Sequence, residues 1–144
     1  MPVVLDAGRR DGDASAAVAI PLDVRAPSVA RRVVAHCLAD RGAPTSLEIA
    51  QLLASELVTN SVRHSGVPEG TAIVMRVHLF SGICRLEVED PGHEGVIAPR
   101  PPDPRRSGGI GLNLLATLSE SWGVIRAAAG PTRVWARLPC PPLA

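Results

Sequence analysis

Residues 45–64 read TSLEIAQLLASELVTNSVRH, and this stretch decides the fold. Thr45 and Glu48 stand in the Thr-x-x-Glu spacing of a capping box, so a helix is expected to open there and run to about His64, where Ser65-Gly66 stops it. Ile49, Leu53 and Leu57 recur at helical spacing and form its apolar stripe. Beside that stripe Leu52, Glu56, Asn60 and His64 are spaced by four, so they stack along one face with Cβ atoms roughly 6 Å apart. A carboxylate and an amide then sit at the edge of the core, where burial demands partners. The helix alone leaves two readings open. One is a solvated polar face. The other is a ligand set in which the Asn60 oxygen holds a hard cation such as Mg²⁺ and Glu56 serves as a general base.

Toward the C-terminus, Thr71 to Phe80 alternates Ile73, Met75, Val77 and Leu79 against Arg76 and His78. Ser81-Gly82 turns the chain into Ile83 to Asp90, which completes a β-hairpin with one oily face. Alternation places Asp90 with Cys84, Leu86 and Val88 on the apolar side. Followed by Pro91-Gly92, it can form a turn with its own backbone. It can equally accept a hydrogen bond from the exocyclic amine of adenine, with Gly92 letting the backbone approach the ring. Guanine offers a carbonyl at that edge and would be rejected.

Farther on, Pro91 to Ser107 is Pro-rich, carries Arg100, Arg105 and Arg106, and is long for a loop inside one domain, as expected of a lid. Ser107-Gly108-Gly109-Ile110-Gly111-Leu112 stands before a short helix expected over Leu112 to Glu120. Its free N–H groups suit a phosphate, although a Gly run there can also be a plain connection. A P-loop is excluded because the chain has no Lys, and a dinucleotide fingerprint because Leu114 stands where the third Gly would be. Gly123 to Ala129 and Arg133 to Leu138 read as a closing hairpin, and residues 140–144 as a tail.

Toward the N-terminus, Ser28 is the expected N-cap of a helix bearing Val29, Val33, Val34 and Cys37 and closed by Gly42. Ala17 to Val24 reads as a strand, and residues 1–16 as a flexible arm without period. The order β-α-α-β-β-α-β-β over residues 17–139 implies one α/β domain. Its architecture is a two-layer α/β sandwich, with a mixed, mostly antiparallel sheet and helices on one face.

Fifteen positive charges against 14 negative ones give no field for a nucleic-acid backbone, and direct nucleic-acid binding is not expected. All the positive charges are Arg, a bias expected of a GC-rich bacterial genome. Cys37, Cys84 and Cys140 are odd in number and widely spaced, which argues for reduced thiols rather than disulfides or a zinc site. No apolar run approaches the roughly 20 residues of a membrane span, so no membrane partner and a cytoplasmic location are expected.

Taken in order, Glu56-Leu57-Val58-Thr59-Asn60-Ser61-Val62-Arg63-His64, Asp90-Pro91-Gly92 and Gly108-Gly109-Ile110-Gly111-Leu112 resemble three nucleotide-binding boxes. These belong to the gyrase, heat-shock chaperone, histidine kinase and mismatch-repair ATPase superfamily. Within it, the phrases Ser-Glu-Leu-Val-Thr-Asn-Ser-Val-Arg-His and Ser-Trp-Gly-Val are similar to those of the anti-sigma-factor serine kinases of actinobacteria. The resemblance implies the histidine kinase-like ATPase fold, with ATP and Mg²⁺ bound. It implies Glu56 as general base, Asn60 as Mg²⁺ ligand and Asp90 on the adenine amine. Gly92, Gly109 and Gly111 become close backbone contacts, within a box completed by Gly108 and Leu112.

It further implies a homodimer and two kinds of partner, a sigma factor held inactive and an antagonist protein phosphorylated on serine. A sheet face bearing Arg76, His78, Arg85, Arg133 and Arg137 is expected to be left open. The Thr that the family often has just before a Val-Trp pair is Arg133 here. Thr132, one place earlier, falls on the opposite strand face, which argues against the family's water-bridged adenine contact. Two rival readings remain. One is a module that binds ATP only as a structural ligand; the other, a detached histidine kinase catalytic domain, lacks a dimerisation helix with a marked phospho-accepting His.

Overall fold

A computed structural model describes residues 2–10, 13–39, 41, 44–64, 70–90, 115–126 and 131–141, without the side chains of residues 62–64 and 126. The elements run β1 (Val3–Arg10), β2 (Asp13–Pro21), α1 (Ala26–Leu38), α2 (Pro44–His64), β3 (Ala72–Phe80), β4 (Ile83–Asp90), β5 (Ser121–Arg126) and β6 (Thr132–Pro139). Residues 115–118 are also helical. The six strands form one sheet in the order β1-β2-β3-β4-β6-β5. Every pairing among them is antiparallel, which agrees with the mostly antiparallel α/β sheet expected from sequence, with no parallel pair among the described residues.

The two helices pack on the sheet, α1 against β2 and β3 and α2 against β4 and β6. Alternation in the strands supplies the facing surface: Ile73, Met75, Val77 and Leu79 of β3 are buried, as are Cys84, Leu86 and Val88 of β4. From the helices come Ala26, Ala30 and Val34 of α1 and Ala50, Leu53, Leu57 and Val58 of α2. Each fully buried aliphatic side chain of Leu or Ile size contributes about 1.5–3 kcal/mol. The β3–β4 turn is a two-residue loop with Ser81 at φ 47° and Gly82 at φ 75°. Two positive φ values in succession are the twist-matched geometry for a tight hairpin.

The other sheet face is polar. Glu87, only 4% exposed, accepts from Arg76 Nη1 at 3.0 Å and Arg85 Nη1 at 3.2 Å, and Glu89 accepts from Arg133 Nε at 2.6 Å. Arg85 lies over the Trp135 ring, 5.4 Å from its centroid. Of the cations expected on an open face, Arg76, Arg85 and Arg133 are braced by these carboxylates, while Arg137 lies over the Phe80 ring, 5.9 Å from its centroid.

Several boundaries differ from expectation for physical reasons. The flexible arm of residues 1–16 is largely strand, since β1 pairs with β2 from Val3↔Ala19 to Arg10↔Asp13. Every residue of β1 is exposed, so no core imposes an inside–outside alternation on it, and ladder hydrogen bonds to β2 hold it, with Arg9 Nη2 donating to the His36 carbonyl at 2.8 Å. Helix α1 begins at Ala26 rather than after Ser28, because Pro27 fits a first helical turn, where no N–H partner is needed. Asp23 Oδ1 accepts from the Arg25 N–H at 2.7 Å just before it. Helix α1 ends at Leu38, short of Gly42, and α2 starts at Pro44, so Thr45 lies inside it rather than at its cap.

Candidate functional site

Helix α2 carries the first half of the site. Its buried positions Ala50, Leu53, Ala54, Leu57, Val58 and Ser61 seat it on the sheet. Glu56 and Asn60 are left half-buried beside that stripe, one turn apart. They are therefore at the edge of the core, as the spacing predicts. Leu52, in the same row, is 40% exposed.

The second half comes from the sheet. Asp90 ends β4 on the core side and is 2% exposed. A carboxylate that deep requires donors, and Ser61 Oγ, itself buried, reaches Asp90 Oδ2 at 3.5 Å. That contact ties the end of α2 to the end of β4 and brings the first and second sequence boxes together. Sequence reasoning did not single out Ser61. Its signal was a hydroxyl on the helix's apolar stripe, four residues after Leu57.

Thr132 is the residue whose placement changes most. The β4–β6 register pairs it directly with Asp90, and it is fully buried with Val134, Ala136 and Leu138 on the core face. Arg133 turns outward to Glu89. The one-residue offset therefore keeps a hydroxyl beside Asp90 rather than turning it away. Thr132 Oγ1 is buried with no hydrogen-bond partner among the described residues.

A buried carboxylate next to a buried, unsatisfied hydroxyl suits a planar polar group that donates to the first and reaches the second directly or through water. The amine edge of adenine has that chemistry. Glu56 and Asn60, on the wetter side of the same helix, are the described residues suited to the Mg²⁺ and phosphate end. No group of three or more His, Cys, Asp or Glu gathers as a metal site among the described residues.

Gly92, Gly108, Gly109, Gly111 and Leu112, together with Arg100, Arg105 and Arg106, lie outside the described residues. The three cysteines are free thiols and all are buried, and burial pushes the Cys84 thiol far above its ordinary pKa. A cleft of about 700 Å³ lies elsewhere, between the β1–β2 hairpin and α1, and none of Glu56, Asn60, Ser61, Asp90 and Thr132 lines it.

Residues 20–138 match the family model of the histidine kinase-like ATPase domain. A comparison with curated proteins returned no match.

Proposed function

The chain belongs to the histidine kinase-like ATPase domain family, an ATP-binding domain, and from that premise we propose that it is a regulator of the anti-sigma-factor kinase type. In this reading it phosphorylates a serine on an antagonist protein with Mg-ATP, and phosphorylation decides whether the antagonist or a sigma factor is bound. The observation that carries the reading is the junction of α2 with β4 and β6. There Asp90, Ser61 and the unsatisfied Thr132 hydroxyl converge beside the helix that carries Glu56 and Asn60.

Each residue then has a task. Asp90 accepts from the adenine amine, Ser61 holds the carboxylate in place, and Asn60 offers its side-chain oxygen to Mg²⁺. Mg²⁺, when bound, neutralises charge on the phosphates. Glu56 takes the proton from the incoming serine hydroxyl as its oxygen bonds to the γ-phosphorus of ATP and the bond to the β-phosphate oxygen breaks, leaving ADP.

The test incubates wild type and Glu56→Ala with radiolabelled ATP and the antagonist recovered by co-purification. Loss of a general base lowers the transfer rate roughly 10²–10⁴-fold while ATP binding persists. Equal labelling by the mutant removes Glu56 from the base role. Absence of labelling by either protein leaves a module that uses ATP only as a ligand.

A further inference from the structure

At the β1 edge the sheet runs out beyond its helix layer. Helix α1 covers β2 and β3, and the helix-side residues of β1, Val4 and Ala7, pair with Val18 and Ala16 of β2. Val4, on the helix side, lines the cleft and is 66% exposed, while Val3 and Leu5, 54% and 56% exposed, do not line it. The cleft of about 700 Å³ has the β1–β2 ribbon as its floor and one side of α1 as its wall. That side adjoins the one α1 buries in the core, since Ala26 lines the cleft as well and Val29 and Val33 pack partly buried against the core. It presents Val29 and Val33 at helical spacing, rimmed by Arg25, Arg32 and His36.

Helix α1 already covers β2, so of the two strands only β1 lacks helix cover, and one further helix of about 10 Å diameter laid beside α1 would complete the layer. Strand addition fits less well, because the β1 ladder shifts register between Val4 and Asp6 and its edge bears Arg9 and Arg10. The rim is cationic. The one acid in it, Asp23, already faces Arg25 at 3.8 Å, and Arg9 is tied to the His36 carbonyl at 2.8 Å. A second copy is a poor occupant: α1 contains no acid, and the exposed row Thr45, Glu48, Leu52 of α2 offers only one.

We propose that the cleft between the β1–β2 hairpin and α1 is a docking groove for an amphipathic helix of another protein, apolar on one face and flanked by Asp or Glu. Among the described residues the groove shares none with the nucleotide site, so this inference goes beyond the ATP-dependent reading and does not rest on it.

The probes are two fluorescein-labelled helical peptides of about five turns, each with Leu along one face and either Glu or Lys on its flanks, titrated by anisotropy. The Glu-flanked peptide is expected to saturate and to weaken as salt rises. Its affinity should fall at least about tenfold in Val4→Asp, which sets an unpaired charge in the contact, and also in Arg32→Glu. Both residues are exposed, so the fold tolerates the changes, and ATP affinity measured on the same samples should not move. No saturation with the Glu-flanked peptide, equal binding of the Lys-flanked one, or indifference to Val4→Asp overturns the proposal. Sedimentation showing a dimer that Val4→Asp dissociates overturns it too, by assigning the groove to a second copy.

Discussion

Replacing Thr132 by Val separates what the fold gains from what the nucleotide needs, because the two are expected to move in opposite directions. Val keeps the shape of the side chain and puts a methyl in place of the hydroxyl, which is buried and has no hydrogen-bond partner among the described residues. Leaving such a group unsatisfied costs about 1–3 kcal/mol, and its deletion should recover much of that. For a chain of this size each kcal/mol corresponds to about 2–4 °C in Tm, so the variant should melt a few degrees higher in EDTA without nucleotide. Binding should suffer, since one hydrogen bond to adenine or its bridging water is worth about 0.5–1.5 kcal/mol, or roughly a two- to tenfold rise in Kd. Thermal melts without nucleotide and calorimetric titration of Mg-ATP provide the two readouts. A variant that is less stable and binds ATP as tightly as wild type would falsify the reasoning, because the hydroxyl would then be bonded within the protein and not aimed at a ligand.

Asn60→Ala should weaken ATP binding in Mg²⁺ and leave binding in EDTA nearly unchanged, since it removes an oxygen ligand and nothing that holds adenine; titrations with and without Mg²⁺ that shift equally would refute the role. ATP and ADP should bind far more tightly than GTP, because Asp90 only accepts hydrogen bonds, and calorimetry giving equal affinities would sink the adenine assignment. Gly123→Ala should destabilise the chain by about 1–3 kcal/mol in urea melts, because a Cβ there would lie 2.8 Å from Trp135 Nε1 and 2.9 Å from Cε2 and Cζ2. Burial raises the Cys84 thiol's pKa above that of the unfolded chain, so its contribution is complete below about pH 8.5 and is lost as pH rises further. Stability between pH 8 and 10 should therefore fall less steeply in Cys84→Ala than in wild type, and parallel pH profiles would contradict this.

Much of the fold was legible because the core writes its period into the chain. The 2-residue alternation of Ile73, Met75, Val77 and Leu79 and the helical spacing of Leu53 and Leu57 exist because those residues face one another across the two layers. Glu56 and Asn60 were legible for the same reason, since spacing by four fixes them on one side of a helix whatever it packs on. The β4 bounds, Ile83–Asp90, also came directly from alternation.

What the sequence could not decide were matters of pairing between distant segments. Strand β1 has no face against the core, so its hydrogen bonds to β2 left no apolar pattern to read, and residues 1–16 looked like an arm. That Ser61 meets Asp90 across a separation of 29 residues, and that Thr132 rather than Arg133 stands opposite it, depends on how α2 seats on the sheet and on the β4–β6 register. In a strand a shift of one residue exchanges core for solvent. Only the assembled tertiary structure fixes that register, because it is set by which side chains can be buried together.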